Sequence, residues 1–195
     1  MLYEQMIDQP IWMILVILVL SLLDYYLTTL SSNLYRKSFG QKVEYKNIKE
    51  LSSENKKGLF KFDAKYLWLK VLLVLVILVI WIQAKTTELQ AIKGLYFLIL
   101  GFAFFNFLII NLRHLQSILI SSYAARNPQQ ISGKVTYQRS FSLTQSAFQL
   151  LLPLILILAI FVFHPSYFLF GATLAPLFLI LRNIFLAQRV KTITD

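Results

Sequence analysis

Residues 71–82 read VLLVLVILVIWI, a stretch of apolar side chains with no polar interruption. A helix that is apolar on every side has no face to turn toward water, so it is typical of a helix in contact with lipid. This stretch lies inside the second of five apolar runs. The runs cover residues 10–30, 66–84, 94–112, 144–163 and 166–187. A helix needs about twenty such residues to cross the hydrocarbon core of a bilayer. The sequence therefore predicts an all-α membrane protein of five transmembrane helices.

The composition agrees with a single transmembrane domain over residues 1–195. Hydrophobic residues make up 57% of the chain and charged residues only 14%. This is more apolar surface than a soluble core of this size needs. The chain contains no cysteine. Disulfides, thiolate metal sites and a cysteine nucleophile are therefore excluded.

The loops that join the runs are alternately rich and poor in Lys and Arg. Nine Lys and Arg residues fall between Arg36 and Lys65, and four fall within 113–143, whereas the link 164–166 has none. Basic loops are retained on the cytoplasmic side of membranes. The loops 36–65 and 113–143 are therefore predicted inside, with the N-terminus outside and the C-terminus inside. We expect the location to be the prokaryotic cytoplasmic membrane.

The formal net charge of +10 bears on the expected partners. We attribute it to control of topology and to attraction of anionic lipid headgroups on the inner face. Nucleic acid is not expected as a partner, because a loop of thirty residues is too small for a soluble nucleic-acid-binding module. A homo-oligomer or a larger membrane complex remains open.

The five runs differ in their small and polar residues. Transmembrane helices approach closely where small and polar side chains gather. Runs one, three and five are therefore predicted to form the interior, while runs two and four lie outside. The pattern Gly171-x-x-x-Ala175 in the fifth run is a weak match to a helix-packing motif. The residues on which this prediction rests are Asp24, Thr28, Ser31, Ser32, Gly101, Ala103, Asn106, Gly171, Thr173 and Ala175.

The third helix is predicted to extend beyond the bilayer. Nothing interrupts it between Gly94 and Arg126, and Asn127-Pro128 should end it. The segment that follows, ISGKVTYQRSFSL over 131–143, has an alternation of period two that indicates a strand. Val43-Glu44-Tyr45 shows a short version of the same alternation and could pair with it. The other interpretation is that 138–150 simply begins helix four.

Asp24 is the only acidic residue inside an apolar run, so it is the first candidate for a functional site. Other polar residues fall at similar depth on the predicted inner side. One interpretation is an ion pair between Asp24 and Arg113 or Arg182 that fixes helix packing. The other is a water-accessible cavity that binds a polar or phosphate headgroup through Arg113, His114 and Arg182. The candidate inner-leaflet cluster comprises Asp24, Thr28, Asn106, Arg113, His114, Gln149, Arg182 and Asn183.

The residues give little support for catalysis, cofactors or metals. No HExxH, GxSxG, P-loop or GxGxxG pattern occurs. His114 and His164 are predicted on opposite membrane faces, so they cannot ligate one metal or one haem within a subunit. No catalytic residue, cofactor or metal site is therefore predicted.

Three short patches resemble small uncharacterised polytopic integral membrane proteins of prokaryotes. They are Asp24-x-x-x-Thr28, Leu112-Arg113-His114-Leu115 and Ile131-Ser132-Gly133-Lys134. The resemblance implies a membrane architecture and no particular reaction.

The leading functional hypothesis is a non-enzymatic membrane protein that acts at the cytoplasmic leaflet, either structurally or by binding a lipid or protein partner. The alternative is an oligomeric channel or transporter with a polar path lined by Asp24, Asn106 and Arg113. A second alternative is a membrane enzyme that acts on a lipid substrate.

Overall fold

The computed structural model describes residues 10–39, 43–46, 64–130, 133 and 135–194. Most of the predicted basic loop 36–65 lies outside these residues, as do Ile131, Ser132 and Lys134. Within the described residues the protein is almost entirely helical. The helices are α1 Pro10–Phe39, α2 Ala64–Thr86, α3 Gln90–Arg126, α4 Arg139–Gln149, α5 Leu151–Phe163 and α6 Tyr167–Thr194, with a 3-10 turn at Pro128–Gln130 and strands β1 Val43–Lys46 and β2 Val135–Gln138.

Four segments are long and apolar enough to cross a membrane by their length and composition. They are Ile11–Phe39, Gln90–Arg126, Ser140–Phe163 and Tyr167–Arg189, and α2 adds the shorter apolar stretch Val71–Thr86. The third and fifth predicted spans are the most buried: 44% of the residues in the apolar stretch of each are buried inside the protein. The share is 28% for the first span and 17% for the fourth. This order agrees with the predicted inner position of helices three and five and the outer position of helix four, whereas helix one, also predicted inside, is less buried than either at 28%.

Helix boundaries differ from those of the apolar runs. α1 continues to Phe39, nine residues beyond the first apolar run, and its hydroxyl residues bond to carbonyl oxygens one turn earlier, as Thr29 does to Tyr25 (3.1 Å). α3 ends at Arg126, before Asn127-Pro128, as predicted, and its 37 residues span about 55 Å. α6 begins with a side-chain cap, since the Ser166 hydroxyl accepts a hydrogen bond from the amide of Leu169 (3.2 Å).

The fourth predicted span is interrupted at Leu150, which separates α4 from α5. Pro153 lies four residues after Gln149 and has no N–H to donate to the Gln149 carbonyl. The amide of Leu150 instead bonds the carbonyl of Ala147 in a tighter turn (3.1 Å). One apolar run therefore contains two helices.

The described chain forms two compact units. The first unit comprises Met1–Leu23, Phe62–Ile110 and Pro153–Leu177. Its core is apolar and comes from α1, α2 and α3, with Ile17, Ile77, Tyr96 and Leu100 almost fully buried. Two glycines in this unit allow α3 and α6 to touch through their backbones. A Cβ on Gly101 would lie 2.0 Å from the carbonyl oxygen of Phe168, and one on Gly171 would lie 1.9 Å from that of Leu98.

The second unit comprises Asp24–Lys61, Asn111–Leu152 and Phe178–Asp195. Its two short strands are paired in parallel, with Val43 opposite Val135 and Lys46 opposite Gln138. The strand predicted within 131–143 is therefore present over Val135–Gln138, and helix α4 begins directly after it at Arg139. The strand interpretation therefore applies to 135–138, and the interpretation as the start of helix four applies from residue 139 onward.

Candidate functional site

Asp24 in α1 contacts His114 in α3, and both residues belong to the second unit. The Nε2 atom of His114 lies 3.4 Å from Oδ1 of Asp24, an ion pair when the imidazole is protonated. The Asp24 side chain is only 5% exposed, whereas that of His114 is 26% exposed. A buried carboxylate therefore meets a histidine that keeps some access to its surroundings.

Two hydroxyl groups of α1 complete the surroundings of the imidazole. The Thr28 hydroxyl donates to the Asp24 carbonyl oxygen (2.7 Å), and its oxygen lies 2.9 Å from Nε2 of His114. The Ser31 hydroxyl donates to the Thr28 carbonyl oxygen (3.1 Å) and lies 3.4 Å from Nδ1. Because each hydroxyl has a single proton, both oxygens can accept hydrogen bonds from the ring. The imidazole of His114 therefore lies among the Asp24 carboxylate and two hydroxyl groups of α1.

A second polar group of the same unit centres on Ser146 in α4. The Ser146 hydroxyl oxygen accepts a hydrogen bond from Nη2 of Arg113 in α3 and another from Nδ2 of Asn183 in α6 (3.0 Å). Asn183 is only 3% exposed. Three helices are thus joined through one hydroxyl group, which holds the guanidinium of Arg113 in place.

Arg113 and Arg182 carry like charges that repel each other. Arg113 is half-buried, and the positive charge of Arg182 on α6 acts on it unfavourably. Arg182 itself is exposed. Arg113 is therefore a half-buried cation that donates a hydrogen bond to the Ser146 hydroxyl oxygen.

The predicted candidate residues thus fall into separate groups. Asp24, Thr28 and His114 form one contact set, while Arg113 and Asn183 form another through Ser146. The sequence raised an ion pair between Asp24 and an arginine, whereas the structure brings Asp24 to His114 and Arg113 to Ser146. Three candidates belong to neither group. Gln149 is exposed at the end of α4, Arg182 is exposed on α6, and Asn106 is half-buried in the first unit.

Sequence reasoning missed Ser146. A serine near the polar end of an apolar run is common and carries no charge, so it does not stand out beside Asp24 or Arg113. Its one signal is its spacing of three residues from the candidate Gln149, which puts the two residues on the same side of a helix.

Within the described residues, no group of three or more histidine or acidic side chains is placed to hold a metal ion. The chain matches no protein-family model, no curated protein and no solved structure. The class of the protein therefore follows from its own residues. It is a helical protein with four helices long and apolar enough to span a membrane, which is compatible with an integral membrane protein.

Proposed function

We propose that this chain is an integral protein of the prokaryotic cytoplasmic membrane, with five spans, its N-terminus outside and its C-terminus inside. In this proposal the protein is not an enzyme. It acts at the cytoplasmic leaflet, where its second unit binds membrane lipid with anionic headgroups.

The observation that carries the proposal is the unequal charge of the two units. Of the nineteen Lys and Arg residues, fifteen fall in the second unit, together with five of the nine acidic residues. The first unit has four basic and four acidic residues, which cancel, so the net charge of +10 belongs to the second unit. Positive charge marks the cytoplasmic side of a membrane protein and attracts the anionic lipids of that leaflet.

Binding is favoured over a conducting path by the contacts of Asp24 and Arg113. A polar path needs groups that remain open to a passing ion. Asp24 is instead engaged by Thr28 and His114, and Arg113 is engaged by Ser146. These contacts support a fixed polar region, which suits a retained ligand better than a moving one.

Single cysteines test the topology directly, because the chain has none of its own. Glu88, Gln129 and His164 are exposed and lie in three different connections. In intact spheroplasts, a membrane-impermeant maleimide should label Glu88→Cys and His164→Cys. Gln129→Cys should be labelled only after permeabilisation. Labelling of Gln129→Cys alone in intact cells would reverse the proposed orientation.

Lipid retention tests the binding part of the proposal. The full-length protein is purified in mild detergent, and its bound phospholipids are compared by mass spectrometry with those of the source membrane. Anionic phospholipid should be enriched several-fold among the retained lipids. Equal proportions in the two samples would refute lipid binding while leaving the topology intact.

A further inference from the structure

The link between α5 and α6 forms a groove in the first unit. Its volume is about 630 Å³, within the range of about 300–1,000 Å³ that is typical of sites for small organic ligands. Phe161 near the end of α5 and Phe170 near the start of α6 are in ring contact, with centroids 5.8 Å apart. Pro165, Ser166 and Tyr167 complete the lining. The groove is therefore formed by one end of a single helical hairpin.

The lining is apolar except for two hydroxyl groups. No Lys, Arg, Asp or Glu occurs between Arg139 and Arg182, so α5 and this part of α6 contribute no carboxylate, ammonium or guanidinium group. The Ser166 hydroxyl accepts from the amide of Leu169 (3.2 Å) and keeps its own proton to donate. Tyr167 carries the second hydroxyl group. The lining therefore fits an occupant with a long apolar part and uncharged acceptor oxygens.

The Tyr167 side of the groove is supported by α3. A Cβ on Gly94 would lie 3.0 Å from two ring carbons of Tyr167, so the ring lies directly against this glycine. Gly94 is buried, whereas Tyr167 is 58% exposed. The ring therefore packs on α3 with one part and remains accessible with another.

The residue types of the lining favour an acyl chain over a protein helix. Transmembrane helices associate through small residues that let their backbones approach, whereas three of the five lining residues carry bulky aromatic rings. Aromatic rings with a polar tip are typical of the boundary between hydrocarbon and headgroups, where the ester groups of phospholipids lie.

We propose that this groove holds one acyl chain of a phospholipid, with the ester group of that chain beside the hydroxyl groups of Ser166 and Tyr167. Because the hairpin offers the headgroup no charge, binding is independent of headgroup charge. This site lies in the first unit and is separate from the anionic lipid proposed for the second. Only its place in the outer leaflet rests on the proposed topology.

The test uses the full-length protein in detergent micelles and a phosphatidylcholine probe with a photoreactive diazirine in one acyl chain. After illumination and pepsin digestion, mass spectrometry locates the labelled residues. Labelling of 161–170 should saturate as probe is added, and it should exceed several-fold the labelling of Ile155 and Leu156, which are exposed on α5. Unlabelled phosphatidylcholine and phosphatidylglycerol with the same chains should compete equally.

Two double variants distinguish the groove from general contact with lipid. Phe161→Ala with Phe170→Ala removes the ring pair and should lower the labelling of 161–170 at least tenfold. The control is Phe163→Ala with Phe185→Ala, which also removes one exposed ring from α5 and one from α6, but neither ring lines the groove. The control should be labelled within about twofold of the wild type. If the first variant does not fold, Tyr167→Ala changes a largely exposed side chain and should still lower labelling several-fold.

Four results would overturn the site. Uniform labelling along the exposed residues of α5 and α6 is the pattern of general lipid contact. Unchanged labelling in the first double variant, or equal loss in both, would separate the labelling from the groove. Competition by phosphatidylglycerol alone would contradict an uncharged site. Absence of labelling together with a dimeric mass would assign the groove to a second copy of the chain. The proposed topology and the enrichment of anionic lipid would stand in each case, because neither depends on this groove.

Discussion

The two units differ in how pairs of their helices make their closest contacts. In the first unit, α3 and α6 touch through their backbones at Gly101 and Gly171, each facing a carbonyl oxygen of the other helix. In the second unit, helices are joined by side chains, as in the contact of Asp24 with His114 and the bonds that converge on Ser146. The α3–α6 crossing of the first unit depends on the absence of side chains at two positions, whereas these contacts of the second unit depend on polar side chains.

The two kinds of contact are two ways for helices to associate in a lipid environment. Lipid is as apolar as a leucine side chain, so helices in a membrane gain little from burying apolar surface against each other. Close backbone approach replaces that gain with dispersion and with weak Cα–H···O contacts. Hydrogen bonds between side chains replace it with fewer, directional contacts. A backbone crossing should tolerate no added side-chain atom. A contact made by side-chain hydrogen bonds should tolerate changes of shape, but not the loss of a donor or acceptor.

The largest effect is expected at the glycine crossing. Gly171→Ala places a Cβ 1.9 Å from the carbonyl oxygen of Leu98, so the two backbones must separate. We expect the free energy of unfolding to fall by about 3 kcal/mol, the upper end for an overpacked site. Gly101→Ala should behave similarly, since its Cβ would lie 2.0 Å from the oxygen of Phe168. Unfolding in mixed micelles with increasing dodecyl sulfate measures both variants.

Gly94→Ala is the matched control for the crossing. Its Cβ would lie 3.0 Å from ring atoms of Tyr167, an exposed side chain that can move. The loss should therefore stay below about 1 kcal/mol. If Gly171→Ala were no more destabilising than Gly94→Ala, the backbone contact would not be what holds α3 to α6.

A smaller effect is expected at Asp24. Asp24→Asn keeps the shape of the side chain but removes the charge that faces His114. The free energy of unfolding should fall by about 1–2 kcal/mol, as for hydrogen bonds between membrane helices. Combined with His114→Asn, the two losses should not add, because each variant breaks the same contact. Thermal unfolding in detergent micelles supplies the four values of this cycle.

Ser38→Ala provides the control for the cycle. The Ser38 hydroxyl donates to the Ser121 carbonyl oxygen in the same unit (2.7 Å), away from the imidazole contacts. Its effect should add to that of Asp24→Asn. Full additivity of Asp24→Asn with His114→Asn would show that the contact contributes nothing to stability. Unchanged stability together with loss of a transported ion would favour the channel alternative.

The sequence predicted the features that depend on composition and on strong helix signals. Uninterrupted runs such as 71–82 predicted the apolar helices, and Asn127-Pro128 predicted the end of α3 at Arg126. The alternation in 131–143 predicted β2, because period two distinguishes a strand from a helix even over a few residues. The five-span count and the orientation remain predictions.

The contacts of the candidate site were harder to predict because they depend on rotation of one helix against another. Asp24 and Thr28 share a helix face by their spacing, which sequence can reveal. Whether Asp24 meets Arg113 or His114 depends on a turn of about 100° between consecutive residues of α3. No pattern in one chain fixes that angle. The break at Leu150 was missed for another reason, since a proline in a membrane helix interrupts it in some contexts and not in others.

The smallest effect is expected at Ser146, where a single hydroxyl serves two donors. Ser146→Ala removes the acceptor of Arg113 and of Asn183, and we expect the free energy of unfolding to fall by about 1 kcal/mol. Thr144→Ala is the matched control on α4, because the Thr144 hydroxyl donates only within its own helix, to the Ser140 carbonyl oxygen (2.9 Å). It should cost clearly less than Ser146→Ala. Equal losses in mixed-micelle unfolding would mean that α4 is held by apolar packing in the second unit too, and the contrast between the two units would then lie in charge alone.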